Sequence, residues 1–352
     1  MGYGVILLFF CTALLSLVEK YLGKYKLPIY FFIGVVLILM AGLREVGIDP
    51  DSETYEYNYH NYTSTKLLDG IEYSFIVISG ILHNISNDVH ILFLFYAFWG
   101  VILKLFAIRQ LSELLFLPLL VYISFYYELH EMTQIRTGLL SGIFLLSIKP
   151  LAEGKKWRYC LLILLGSLFH ISALILLPLV FLSNKAITFK QSFLWISLIP
   201  VGYCFYFLSN SILVNLDIPY IGAKLISYQN DADKVVSAVN INVLSPKHLF
   251  TILIFVYLLY FRDTILEKNI YFPLMIKIFA IGIVSLTIFG FLPTLAQRVS
   301  YLFEIVSIIV TANIYYTIRP RCAGILAVVF ISFINLNYAL PYISFNLLWK
   351  GG

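Results

Sequence analysis

Apolar runs, each about the length a helix needs to cross a bilayer, recur through this chain from one end to the other. They lie at 3–18, 27–43, 89–108, 114–129, 135–151, 159–182, 192–208, 248–261, 271–293, 299–318 and 322–339. A chain built this way cannot close around a water-facing surface. Only 12% of its residues are charged and 61% are hydrophobic, whereas soluble domains carry roughly a quarter charged residues. Barrel strands would read as alternating segments of about ten residues, and no such segments are present. The pattern predicts an all-α polytopic integral membrane protein with about 11–12 transmembrane helices and some re-entrant segments. One transmembrane domain over residues 1–352 is expected, with outer loops at 44–73 and 209–246. The first run has no basic stretch before it and no small-residue cleavage site after it, so it is expected to stay as a helix.

Lysines and arginines give the orientation, because short cytoplasmic loops are enriched in them. The clusters are Lys20, Lys24 and Lys26; Lys104 and Arg109; Lys149, Lys155, Lys156 and Arg158; Lys185 and Lys190; Arg262 and Lys268; Arg319 and Arg321. Placing them all inside puts the amino terminus and loop 44–73 outside. The net charge of +5 is then a matter of orientation and points to no nucleic-acid partner. Two segments strain the count. The apolar stretch 73–82 is too short to cross, so it is expected to be re-entrant or to lie along the interface. Segment 159–182 must either be a hairpin of broken half-helices turning near Phe169-His170, or leave Lys185 and Lys190 on the wrong side. The hairpin is the preferred expectation, since such half-helices are tolerated where they line a polar cavity. On this count the acidic connector Glu128–Glu131 falls outside, as does loop 209–246, which is expected to carry a short amphipathic helix on the membrane surface.

The most polar stretch is 41–75, with seven carboxylates (Glu45, Asp49, Asp51, Glu53, Glu56, Asp69, Glu72) and five tyrosines. Pro50 forbids a continuous helix through its first part. Arg44 follows directly on an apolar run. It could be a snorkelling interfacial arginine, yet Gly47 and Pro50 shape a turn after it that holds Asp49 and Asp51, with Tyr55 close behind. Arginine suits bidentate phosphate contact, and carboxylates with tyrosines suit sugar hydroxyls. Arg136 begins an otherwise apolar run, where a cation is costly unless partnered or used. Glu128 and Glu131 are candidate partners for it, and Gly138 and Gly142 form a small-residue packing face. His170 is isolated among apolar residues. Such a histidine is usually a hydrogen-bonded core residue, but inside a membrane segment function becomes the stronger reading. Arg298 stands at the outer end of a later run, with Glu304 further in as an expected counter-ion. The four cysteines show no C-x-x-C spacing, and there is no Walker loop, H-E-x-x-H or dinucleotide fingerprint. No metal site and no cofactor are expected.

Five segments in this order (AGLREVGIDPDSETY, QIRTGLLSGIFLLS, GSLFHISALILLP, QRVSYLFEI and PYIS) resemble the EpsG/Wzy group of bacterial polysaccharide polymerases. The resemblance implies a glycosyltransferase of GT-C-like fold in the bacterial cytoplasmic (inner) membrane, with its site facing the periplasm or exterior. It implies polymerisation of undecaprenyl-diphosphate-linked oligosaccharide repeat units into O-antigen, capsule or other exopolysaccharide. Membrane lipid and a chain-length regulator protein are candidate partners. The family's early arginine and aspartates map onto Arg44, Asp49 and Asp51, its middle arginine onto Arg136 and its histidine onto His170, with Arg298 matching a late arginine. In this reading Arg44, Arg136 and Arg298 bind the diphosphate and Tyr55 and Glu72 meet sugar. His170 or one of Asp49, Asp51 and Glu72 is the base. Two other functions compete: a lipid-linked oligosaccharide flippase, which predicts an internal repeat that is not visible, and a membrane acyltransferase, for which His170 lacks a second partner at a recognisable spacing.

Overall fold

The computed structural model describes residues 2–63, 72–213 and 242–343. Of the expected loop 209–246, residues 209–213 are the end of a helix and 214–241, with the expected amphipathic helix, lie outside the described residues. The described residues form helices and connecting turns, with no strand among them. In chain order the first nine helices are α1 (Gly2–Val18), α2 (Lys26–Gly42), α3 (Ser52–His60), α4 (Tyr73–His83), α5 (His90–Leu111), α6 (Phe116–Val121), α7 (Ile135–Ala152), α8 (Lys156–Ser167) and α9 (Phe189–Leu213). Helices Pro246–Tyr260, Phe272–Ile288, Pro293–Glu304 and Arg321–Ala339 follow. Six helices among the described residues are long and apolar enough to cross a membrane, or seven if one bent pair is counted as a single span. The protein is thus an all-α polytopic membrane protein. The remaining apolar runs are shorter or interrupted helices. Run 114–129 is α6 continued by a π-helix, Tyr122–Thr133, and run 159–182 is α8 followed by a 3₁₀ helix, Ile171–Phe181.

The described residues fall into two compact units. The first comprises Met1–Asn184, Asp263–Leu274 and Ser307–Gly352. Within it α2 packs antiparallel to α5, and α5 runs parallel to α7. The Tyr30 hydroxyl donates to the Leu105 carbonyl at 3.0 Å, joining α2 to α5. A Cβ at Gly142 of α7 would lie 2.8 Å from the Leu103 Cβ of α5, so this glycine of the small-residue face permits the close approach. The Tyr159 hydroxyl donates to the Leu176 carbonyl at 2.5 Å. Residues that far apart on one straight helix would be about 25 Å from each other, so the chain doubles back in a hairpin with His170 at its bend.

Lys104 departs from its sequence reading. It lies in α5 with no exposed side-chain surface, paired with Glu131 at 2.5 Å. Its ammonium also donates to the Gly138 carbonyl of α7 at 2.6 Å, and the Tyr122 hydroxyl donates to Glu131 at 2.9 Å. Lys104 is therefore an internal cation and says nothing about which side its neighbouring loop occupies. The expected Glu128–Glu131 connector is likewise not a loop. All twelve residues of the π-helix are buried, and Glu131 is buried because a lysine of α5 meets it there.

The second unit comprises Lys185–Arg262 and Met275–Val306. Inside it Arg262 donates to the Ile187 carbonyl at 2.8 Å and Lys277 to the Lys185 carbonyl at 3.2 Å. Glu304 accepts from Ser300 at 2.8 Å and attracts Lys247 of helix Pro246–Tyr260.

Candidate active site

The stretch after α2 is ordered by its own side chains. Gly47 takes φ +89°, a left-handed backbone that glycine adopts without strain, and this reverses the chain after Arg44. The Ser52 hydroxyl accepts from the Gly47 amide at 2.8 Å. Asp49 holds the turn from inside: one carboxylate oxygen accepts the Asp51 amide at 3.1 Å, the other pairs with the Arg44 Nε at 2.9 Å. Arg44 also donates to the Ala41 carbonyl at 2.7 Å and stacks 3.9 Å above the Phe93 ring. Both side chains of the pair are fully buried. Asp49 thus has both oxygens engaged, and the Arg44 charge is already matched. Only the Nη2 of Arg44 lacks a hydrogen-bond partner.

That turn launches α3, whose inward face carries Tyr55 and Tyr59 into an aromatic cluster with Phe75 of α4 and Phe93 and Tyr96 of α5. Phe75 stacks on Tyr96 at 6.4 Å and meets Tyr55 at 6.1 Å. Ile135, Leu139 and Ile143 of α7 close the cluster, and Phe169 from the hairpin bend packs against it. The Ser74 hydroxyl of α4 donates to the Leu168 carbonyl, which fastens the start of α4 to the hairpin bend. Five stretches of the chain are so brought to one place.

Arg136, Glu72 and His170 meet there. Arg136, in the first turn of α7, forms an ion pair with Glu72, the residue before α4. Its guanidinium lies 5.9 Å from the Tyr55 ring and 5.7 Å from the Phe75 ring. The other Glu72 oxygen lies 3.3 Å from the His170 Nδ1. His170 caps the 3₁₀ helix, where Nδ1 accepts from the Ser172 amide at 3.3 Å. The side chains keep 22% (Arg136), 16% (Glu72) and 17% (His170) of their surface exposed. A ligand can therefore reach this trio, whereas the sealed Arg44–Asp49 pair is out of reach. Burial pushes the Tyr55 phenol up to about 12 against the lowering effect of Arg136. It is a neutral hydroxyl at ordinary pH, beside the arginine.

Of the residues singled out in the sequence, the structure joins Tyr55, Glu72, Arg136 and His170. Arg44 stacks on Phe93 of the same aromatic cluster, with Asp49 beneath it and Asp51 at the start of α3. Arg298 belongs to the second unit, exposed on helix Pro293–Glu304. The partner of Arg136 is Glu72, neither Glu128 nor Glu131. Phe75 and Tyr96 were not foreseen, since nothing separates them in the sequence from other aromatics of apolar helices. Chemically, the trio offers a forked cation for an anionic group, a carboxylate and an imidazole within proton-transfer reach, and aromatic faces on which a sugar ring can lie.

Comparison with known proteins finds a match over nearly the whole length. The model of the EpsG family matches residues 27–349, a range that holds every residue of the site. The amylovoran biosynthesis protein AmsC of Erwinia amylovora is 23% identical over 320 residues, covering 86% of this chain and 83% of that protein. No solved structure matches the chain.

Proposed function

The chain belongs to the EpsG family, and from that premise we propose that it is a polysaccharide polymerase of exopolysaccharide biosynthesis. It joins oligosaccharide repeat units carried on undecaprenyl diphosphate, at the outer face of the bacterial cytoplasmic membrane. The observation that carries this reading is the meeting of Arg136, Glu72 and His170 beside Tyr55 and Phe75, part-exposed in an otherwise oily protein. The similarity to an amylovoran biosynthesis protein supports the polymer class.

In the reaction an acceptor sugar hydroxyl attacks the anomeric carbon of the donor. The bond from that carbon to the diphosphate oxygen breaks, and the lipid diphosphate leaves with the electron pair. Arg136 stabilises the charge that grows on the leaving group. His170 or Glu72, side by side, takes the hydroxyl proton. Tyr55 donates to a sugar oxygen and Phe75 offers a ring face. Arg44 and Asp49 act through the turn that presents α3, and are positioning residues.

The test is complementation of a deletion strain with variants shown to insert at normal levels. Arg136→Ala and His170→Ala are expected to abolish long polymer and to leave single repeat units on lipid at the outer face. Long polymer of normal length from both variants would sink the proposal. Repeat units trapped at the inner face of the deletion strain would favour a flippase instead.

A further inference from the structure

The first unit holds a cavity of about 380 Å³ at the opposite end of its helices from the trio. Helix α2 starts at Lys26, in the cavity wall, and ends two residues before Arg44; seventeen residues of helix separate the two sites by about 25 Å. Helix α5 makes the same journey. It begins at His90, whose ring touches the Arg44 carbonyl at 3.0 Å, and ends at Leu111, two residues before Glu113 of the cavity wall.

Four cations line this cavity (Lys20, Lys26, Lys268 and Arg321) against two carboxylates, Glu19 and Glu113. Glu19 is already spent. Its oxygens accept the Leu115 and Phe116 amides at 2.9 and 3.3 Å, and it pairs with Lys26 at 2.6 Å. That leaves Lys20, Lys268 and Arg321 facing Glu113 alone. Arg321 is also held in place. Arg321 donates to the Tyr315 carbonyl at 2.7 Å and lies 4.9 Å above the Tyr315 ring, which uses one of its five donors. Asn269, next to Lys268, is buried and donates to the Leu111 carbonyl at 3.0 Å. Basic pockets among the ends of membrane helices suit phosphate headgroups, and the guanidinium fork with lysines and tyrosine hydroxyls suits phosphate oxygens.

We propose that this cavity binds the phosphate of an anionic phosphate ester, either a phospholipid headgroup at that face or a soluble phosphate ester. It is a site separate from the transfer chemistry, and its test does not depend on polymer formation. The full-length protein, purified in detergent and delipidated, is to be titrated with phosphatidylglycerol, phosphatidylcholine and glycerol 1-phosphate, with bound ligand read by native mass spectrometry. Wild type is expected to retain phosphatidylglycerol at least about fivefold over phosphatidylcholine, whose choline would face the cations. K20Q/K268Q is expected to lose that preference, and K20R/K268R to keep it. Displacement of phosphatidylglycerol by glycerol 1-phosphate at similar concentration would assign the site to soluble esters, and retention of the acylated ligand alone would assign it to lipid. Equal retention of both lipids by wild type with no glycerol 1-phosphate bound, or an undiminished preference in a folded K20Q/K268Q, would overturn the proposal.

Discussion

Lys104 and Glu131 are expected to be worth far less than the sum of their single removals. In Lys104→Met the Glu131 carboxylate stays buried with only the Tyr122 hydroxyl, and the Gly138 carbonyl loses one donor at 2.6 Å while keeping the Ser141 hydroxyl at 2.8 Å. Breaking a buried pair in this way costs about 3–5 kcal/mol. Glu131→Gln leaves the ammonium with carbonyl partners only and is expected to cost on the order of 3 kcal/mol. In the double variant neither charge of the pair is left inside. The glutamine can still accept from Tyr122, so the residual loss is mainly the hydrogen bond to Gly138, about 1–2 kcal/mol. The single costs would add to roughly 6–8 kcal/mol, and the double variant should fall several kcal/mol below that. The assay is unfolding in mixed micelles titrated with dodecyl sulfate, followed by tryptophan fluorescence. Additive losses would refute the reasoning and show that the two side chains do not share one buried site.

Three other outcomes follow from the site. Tyr55→Phe keeps the packing on Phe75 but removes the hydroxyl beside Arg136, so polymer yield should drop about tenfold or more, the worth of a hydrogen bond to a charged group, with unchanged insertion; normal yield would remove Tyr55 from the chemistry. Gly47→Ala forces a side chain onto φ +89° and should destabilise the turn by at least about 1 kcal/mol, visible as faster proteolysis near α3. Glu72→Gln should weaken the hold on both Arg136 and His170, and its polymer yield should fall at every pH. Normal yield from Glu72→Gln would remove the carboxylate from the chemistry.

The membrane class was legible in the sequence because hydropathy acts on every residue of a span. The hairpin at His170 was legible because the lysines on either side of 159–182 demanded an even number of crossings. Arg136 and His170 stood out because a polar group in hydrocarbon needs a reason. Their shared partner was not legible. Glu72 is one carboxylate of seven in 41–75, and only the docking of α4 on the hairpin bend selects it. Lys104 misled for the opposite reason: Arg109 lies within reach of the same helix end, so the lysine read as part of a loop cluster when a carboxylate twenty-seven residues away had drawn it inward. Pairings across helices depend on rotation about each axis, and a run without a strong polar stripe leaves that rotation unspecified.

Glu72 has a consequence for how tightly the proposed substrate can be held. Arg136 is not a vacant cation waiting for an anion, since a carboxylate occupies it already. An arriving diphosphate competes with Glu72 for the guanidinium charge, so its affinity is reduced by the carboxylate contact it displaces or shares. The same exchange runs in reverse after transfer. As the spent lipid carrier departs, the carboxylate returns to the guanidinium, and product release needs no naked charge to be left behind in an oily protein.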